Sequence, residues 1–321
     1  MLRWLESLLV TLAGVTTVLG LLPLGARLWW VFDLTTNFRL QYLGVAAALL
    51  ALLALRRKWL PAAALSVIAA LNAWPVLPYV PHLTPTTVAP PTAAHLKVLA
   101  VNVSNRQFSA RRFRKIVAQA APDVLLVVEF SPRAEEVLAE FDRVFPQQLK
   151  APAEGPYGIG LWSRFPLQSA FTFPLGPVQA LEARVETPAG AFTLLGAHLV
   201  SPTLPRRAEQ RNEGLKLLAQ RRAEVSGPVI VAGDFNVTPY SPYYIDWLAT
   251  TGLTDSRNGR TLSASWPAIL PILGIPIDHV AVSNEFVILG HDRLPAFGSD
   301  HWGIMAELAL QPPATPSGAS P

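Results

Sequence analysis

The stretch PVIVAGDFN, residues 228–236, reads as a strand that ends in chemistry. Val229 to Ala232 are apolar, uncharged and largely β-branched, which is the pattern of a strand buried on both faces. A carboxylate and an amide, Asp234 and Asn236, follow at once. Burying an ionised carboxylate costs on the order of several kcal/mol unless a partner such as a metal compensates it, so their position at a strand end needs a reason.

The same grammar recurs on both sides of this stretch. Residues 97–103 (KVLAVNV), 123–129 (DVLLVVE), 158–162, 191–198 (AFTLLGAH), 278–282 (DHVAV) and 303–309 are further strand candidates. Between them, residues 109–120 open with a capping Ser109. They gather Phe113, Ile116, Val117 and Ala120 on one helical face, opposite Arg111, Arg112, Arg114 and Lys115. Residues 204–225 and 241–250 read as two more helices, the second opened by Ser241-Pro242. Helices interspersed with buried strands predict a layered α/β (α+β) domain over residues 97–310. No internal repeat is present.

Composition adds a second part. The 321 residues are 51% hydrophobic and only 15% charged, against a usual charged share of about 25%. With 30 prolines and 20 glycines, neither a disordered chain nor a coiled coil fits. The absence of cysteine excludes a disulfide framework, a zinc–thiolate site and a cysteine nucleophile. Residues 1–96 hold six Lys and Arg against two acids, whereas the rest of the chain holds 20 of each sign. The larger domain therefore lacks the bulk positive charge that non-specific duplex binding needs.

The basic excess belongs to a membrane segment. Residues 7–26 form an uninterrupted uncharged run, long enough to cross a hydrocarbon core of about 30 Å. Residues 40–55 form a shorter run of 16 that needs Phe38 and some thinning of the bilayer to span, or else is re-entrant. Residues 59–80 form a third, flanked by Trp59, Trp74 and Tyr79. Arg3 and the cluster Arg56, Arg57 and Lys58 outnumber Arg27 and Arg39, so the positive-inside rule places the first pair of ends in the cytoplasm. The expectation is a multi-pass anchor over residues 1–80 in the cytoplasmic membrane, with the chain from residue 81 outside. Prolines 75, 78, 81, 85, 90 and 91 read as an extended tether, with residues 81–96 as a linker, and the Pro/Ser/Ala-rich residues 311–321 as a disordered tail.

Six places carry polar groups at the ends of apolar strands: Asn102, Glu129, His198, Asp234 with Asn236, Asp278, and Asp300 with His301. Each alone has a bland explanation, such as a turn residue for Asn102 or an Asx-turn for Asp234 and Asn236. Together they form one inventory. Carboxylates and amides without cysteine are hard oxygen donors that select Mg²⁺ or Mn²⁺ over zinc, and two histidines supply proton transfer and charge stabilisation. The inventory describes metal-assisted hydrolysis of a phosphate ester.

Over residues 97–309 these motifs resemble the endonuclease/exonuclease/phosphatase superfamily, which includes DNase I-like nucleases, sphingomyelinases and inositol-polyphosphate phosphatases. VNVSN, VVEF, YGIGLWSRFPL, AHLVSP, GDFN, IDHVAVS and GSDHWGI stand in the family's order. The resemblance implies a four-layered α/β sandwich of two packed mixed sheets. It also implies Glu129 as the principal metal carboxylate, with Asn102 and Asp300 completing the site. Asp234 would activate the attacking water, Asn236 would hold phosphate oxygens, Asp278 would fix the tautomer of His301, and His198 would serve the phosphate or the leaving oxygen. Arg164 in WSRFP is a candidate phosphate contact or, equally, an exposed structural arginine in a turn, and Arg206, Arg207 and Arg211 are candidates for a rim on an anionic substrate, although a solvated helix face is the favoured reading of these three. Tyr157, Trp162, Trp266 and Trp302 are aromatic residues that would flank a lipid or base, or else pack the core. His279 should point to the opposite strand face from Asp278. AHL in place of THL and Trp302 after SDH are departures that leave every catalytic group in place.

The expected protein is a membrane-anchored, Mg²⁺-dependent phosphohydrolase working outside the cytoplasm, with a lipid-linked phosphoester favoured as substrate because tethering raises its effective concentration. A membrane-tethered extracellular nuclease is the alternative, and only then would nucleic acid be a partner. A binding scaffold without activity is a third class, which the intact residue set opposes. No protein partner is implied.

Overall fold

The computed structural model of the chain describes residues 2–83, 95–104 and 108–311. The predicted linker falls largely on residues 84–94 and the predicted tail on residues 312–321, both outside the described residues.

The larger domain runs β1 (His95–Asn102), α5 (Ala110–Ala120), β2 (Val124–Val128), α6 (Pro132–Leu138), β3 (Gln147–Ala151), β4 (Ile159–Ser163), β5 (Leu167–Leu175), β6 (Val178–Thr187), β7 (Gly190–His198), α7 (Pro205–Glu224), β8 (Val229–Asp234), α8 (Pro242–Thr251), β9 (Thr254–Asp255), β10 (Asp278–Val282), β11 (Phe286–Arg293) and β12 (Ile304–Leu310). Helices α1 to α4 lie before it. One six-stranded sheet has the order β11-β12-β1-β2-β4-β3, the other β5-β6-β7-β8-β10-β9. Both are mixed: β1 with β2 and β7 with β8 run parallel, and the remaining neighbours run antiparallel.

The two sheets meet over an apolar layer that includes Val98, Leu126, Leu161, Leu181, Leu194, Ile230 and Val280. The other face of the first sheet buries Phe113, Ile116 and Val117 of α5. The second sheet is covered by Leu215 and Leu218 of α7 and Tyr244 and Trp247 of α8. This is the layered α/β domain expected from the residues, in the form that the resemblance implied, a four-layered sandwich of two packed mixed sheets. Helix starts follow their caps: Ser109 accepts the Arg112 amide at 3.4 Å and Ser131, before Pro132, accepts that of Ala134 at 3.2 Å.

Strands β5 and β6 were not legible as apolar runs, because they alternate. Glu182 and Arg184 face outward between buried Leu181, Ala183 and Val185. An antiparallel hairpin with one wet face reads more weakly than a doubly buried strand.

The amino-terminal region comprises α1 (Leu2–Leu21), α2 (Trp30–Thr36), α3 (Arg39–Leu55) and α4 (Trp59–Ala73). Among the described residues one helix, Arg3–Gly25 with its 3₁₀ extension, is long and apolar enough by itself to cross a membrane. Helices α2 and α3 qualify only as one span bent by 64°, and α4 is shorter. The third apolar run of the sequence is thus not one helix: it stops at Ala73, and Leu77–Tyr79 forms a separate 3₁₀ turn. Helices α1, α3 and α4 pack through Ala13, Ala46, Leu49, Leu53 and Leu65. Their outer surfaces expose Leu8, Leu12, Val15, Val18, Leu52, Leu60 and Val67. At one end Glu6 pairs with Lys58 at 2.8 Å.

The other end of this bundle rests directly on the sandwich. Arg27 forms a two-pronged ion pair with Asp246 at 2.6 and 2.9 Å. Val76 and Tyr79 pack on Tyr240, and the Gly259 amide donates to the Pro78 carbonyl at 2.8 Å. The segment from Pro75 to Leu83, read from its prolines as part of an extended tether, is therefore packed against the domain. Its prolines end α4 and shape a turn instead of spacing the domain away.

Candidate active site

The parallel pairs β1–β2 and β7–β8 point their carboxyl ends the same way, and the two sheets pack with β1 and β2 against β8. Residues that follow or close these strands therefore converge at one edge of the sandwich. Asn102 closes β1 and Glu129 follows β2, while His198 closes β7 beside Asp234, which closes β8. Asp278 opens β10 directly opposite Asp234.

Distances make this a single cluster. The Asn102 amide nitrogen donates to Glu129 Oε1 and to Asp234 Oδ2, both at 3.1 Å. His301 Nε2 lies 3.7 Å from Asp234 Oδ2, and its Nδ1 is 2.9 Å from Asp278 Oδ2. His198 Nε2 approaches Asp234 Oδ2 at 3.6 Å, while its Nδ1 donates to the Pro156 carbonyl at 2.8 Å. Asn236 Nδ2 donates to the Leu199 carbonyl at 2.8 Å and stands 3.3 Å from His198 Nε2. Asp300 accepts the Trp266 indole N–H at 3.1 Å. A pocket of about 380 Å³ opens onto Glu129, His198, Asp234, Asn236, Asp300 and His301.

The backbone is bent to build this mouth. Glu129 and Asn236 adopt left-handed φ values of 54° and 51°, a strain of roughly 1–3 kcal/mol each that such sites carry. Gly233 has φ 134°, and a Cβ there would lie 1.9 Å from the Ala197 carbonyl oxygen. We expect Gly233→Ala to cost roughly 1–3 kcal/mol in backbone strain, read as a lowered unfolding midpoint of the full chain.

Charge is concentrated where the carboxylates meet. Burial, and then the charge of Asp278, push Asp234 up to about 6, against the pull of His301 and His198. Burial alone would depress the His301 imidazole. The charge and hydrogen bond of Asp278, with Asp234 and Asp300 beyond it, outweigh that and hold its pKa up at about 10. Since this lies above the ordinary 6.5, the stabilisation from charged His301 is fully present below about pH 6.5 and is lost as pH rises through about 10. Nitrogen NMR on histidine-labelled, metal-free chain should show one imidazole still charged at about pH 8; all rings neutral there would refute the assignment.

The donors fit a hard divalent cation: three carboxylates, Glu129, Asp234 and Asp300, line one pocket, with no thiolate in the chain; buried Asn102 turns its amide nitrogen to Glu129 and Asp234 and accepts the Ser104 amide on its Oδ1 at 2.9 Å. Ligand atoms of Asp234, Asp278 and His301 also lie within 4.8 Å of one another. Asp278 and His301 are also hydrogen-bonded to each other at 2.9 Å, which leaves the carboxylates of the pocket as the other group that could hold a cation.

Other sequence expectations fall elsewhere. Arg164 follows β4 at the end farthest from the pocket; its Nε donates to the Pro122 carbonyl at 2.9 Å and its guanidinium stacks on Phe145 at 5.3 Å. It does not reach the site, because the WSRFP turn closes β4 at the opposite sheet edge from Glu129. Of the three helix arginines, Arg207 lines the pocket and bonds the Ser201 carbonyl at 2.9 Å. Arg211 is buried beneath the pocket. Tyr157 and Trp266 line it, whereas Trp162 and Trp302 are buried in packing. His279 turns away, bonding Asp255 at 3.0 Å and stacking on Tyr244.

Four participants escaped the sequence reading. Ser265 accepts the amides of Ile277 and Asp278, each at 3.0 Å, and so fixes where β10 begins. Asp33 of α2 pairs with Arg211, and Arg211 in turn donates to the Asn236 carbonyl at 3.0 Å. Leu34 and Asn37 of the same amino-terminal segment line the pocket. The signal for Asp33 was present: a lone acid in an apolar segment marks a function or a buried partner.

A two-sheet sandwich with a carboxylate, amide and imidazole cluster at the carboxyl ends of its strands is equipped for hydrolytic phosphoester chemistry. Residues 99–301 match the endonuclease/exonuclease/phosphatase family, and the chain belongs to it. Its members are hydrolases of phosphoesters and generally depend on a divalent metal. Solved structures share the fold. An endonuclease/exonuclease/phosphatase from Beutenbergia cavernae is 21% identical, with TM-score 0.57, covering 69% of this chain and 73% of that one. A humanized TDP2 from D. rerio is 18% identical, with TM-score 0.56 and coverage of 67% and 98%. A mannosyl-6-phosphatase from Bacteroides thetaiotaomicron is 16% identical, with TM-score 0.54 and coverage of 66% and 99%. No protein of curated function matches in sequence.

Proposed function

We propose that this chain is a membrane-anchored, divalent-metal-dependent phosphohydrolase that acts on a lipid-linked phosphoester at the extracytoplasmic face of the cytoplasmic membrane. The observation that carries the chemistry is the Asn102 amide bridging Glu129 and Asp234 at 3.1 Å, with the His301–Asp278 pair against the same carboxylate. Glu129, Asn102 and Asp300 would hold Mg²⁺ or Mn²⁺, which when bound polarises a phosphoryl oxygen and neutralises developing charge. Asp234 takes the proton of the attacking water, a task suited to a carboxylate raised toward neutrality. His301, charged and held by Asp278, faces the charge that grows on phosphorus, and Asn236 and His198 orient phosphate and leaving oxygens. Water attacks in line, with no covalent enzyme intermediate.

The location rests on the amino-terminal helices. The sandwich sits at the end of the bundle opposite Arg56, Arg57 and Lys58, so the positive-inside rule puts it outside. On this reading Leu34 and Asn37 of the amino-terminal segment, which line the pocket, would lie where the bundle leaves the membrane.

The full chain, reconstituted in vesicles, should hydrolyse lipid-linked phosphoesters with Mg²⁺ or Mn²⁺, lose activity in chelator and regain it on adding metal back. A structure of TDP2 holds a single-strand DNA product; that concerns TDP2, but it makes plasmid DNA the proper rival substrate. DNA cleavage without lipid turnover would overturn the substrate reading. Protease added to intact cells should reach the sandwich, and full protection would reverse the topology.

A further inference from the structure

One surface remains unaccounted for by the site or the core. Residues 261–277 contain no charged side chain. Within them, Ile269 is 83% and Ile272 79% exposed, with Leu270 and Leu273 also exposed. Four large aliphatic side chains in five residues, facing outward on a loop, is apolar surface that water alone does not explain.

Its place in the fold names the occupant. Gln41, near the start of α3, donates to the Gly274 carbonyl at 3.1 Å and approaches that of Ile272 at 3.5 Å. The loop is thus fastened to the start of the apolar helix α3. On its other side it continues into the pocket: Trp266, Ile275 and Ile277 line one wall, and Leu34 and Asn37 of the amino-terminal segment also border the opening. Ala268 donates to the Asp300 carbonyl at 2.7 Å, tying the loop's base to the catalytic cluster.

We propose that residues 267–273 form a lip that dips into the outer leaflet of the bilayer beside the anchor, so that a lipid-borne phosphoester passes from the leaflet between this lip and α2 into the pocket. The inference deepens the membrane reading above and rests on it. Apolar side chains on an uncharged loop gain by entering the acyl boundary, and an anchor already holding the protein at the surface removes most of the entropic cost of that entry.

The cysteine-free chain makes the test direct. Ile272→Cys in the full chain, labelled with an environment-sensitive fluorophore and reconstituted in phosphatidylethanolamine and phosphatidylglycerol vesicles, should show blue-shifted emission that is quenched by lipids spin-labelled high on the acyl chain. Glu186→Cys, on an exposed strand residue at the far end of the second sheet, should be neither shifted nor quenched. An unquenched label at 272, or a blue shift that depends on protein concentration and not on spin-labelled lipid, overturns the lip, the latter by showing a protein contact. As a second reading, Ile269→Asp/Ile272→Asp should keep its kcat on soluble bis(p-nitrophenyl) phosphate but raise KM for a vesicle-borne phosphoester about tenfold or more; an unchanged KM would also overturn the proposal. Quenching at 272 together with no lipid turnover by the parent chain would leave the lip standing and refute only the substrate reading.

Discussion

Asp234→Asn should lower kcat on a soluble phosphodiester by about 10³–10⁴-fold at saturating metal, with little change in the unfolding midpoint. The substitution keeps shape and keeps an acceptor for the Asn236 amide, which now donates to Asp234 Oδ1 at 2.9 Å. What it removes is the negative charge and the site for a proton at the point where Asn102, His198 and His301 converge. His301→Gln should cost a comparable factor, because the charged imidazole 3.7 Å from Asp234 is lost and Asp278 is left facing a neutral amide. The double variant should fall little below the worse single one, since groups that act on one transition state as a unit are far from additive. Retention of kcat within tenfold of the parent by either single variant would refute the roles assigned here.

How much of this was readable in advance depended on where the information lies. Strands buried on both faces announce themselves as unbroken apolar runs, so β1, β2, β7, β8 and β10 were found to within a few residues, and the polar side chains closing or opening them were found with them. These carry the site because a parallel strand delivers its last residue to the carboxyl edge of a sheet, a property of local sequence. Arg164 misled because a turn motif has no inherent direction: WSRFP marks the end of β4, and only the antiparallel pairing of β4 with β2 puts that end away from Glu129. The docking of the bundle was invisible for a related reason. Prolines 75, 78 and 81 specify that a helix cannot continue, and whether the chain then extends or folds back is decided by Tyr240 and Gly259, which lie far along the sequence.

Breaking the Asp33–Arg211 pair should be a large destabilisation outside the catalytic cluster. Both side chains are almost fully buried, and Asp33 also accepts the Ser241 hydroxyl at 2.6 Å. Asp33→Ala leaves a buried guanidinium with the Asn236 carbonyl, the Asn212 side chain and the Tyr243 ring but no opposite charge, and should cost about 3–5 kcal/mol in unfolding of the full chain. The informative variant replaces both charges. Asp33→Leu/Arg211→Met removes the desolvation cost together with the attraction, so most of the lost stability should return. Activity should not return with it: without Arg211 the Asn236 carbonyl loses its 3.0 Å donor, and a residue held at φ 51° by its surroundings is free to relax. A loss of about 10–100-fold in kcat, the usual range when a supporting group behind a site is removed, should therefore persist in a chain of nearly parental stability. Full recovery of kcat alongside stability would mean that the pair only fastens α2 to the sandwich; a persistent loss would mean that α2, through Arg211, sets the geometry of Asn236.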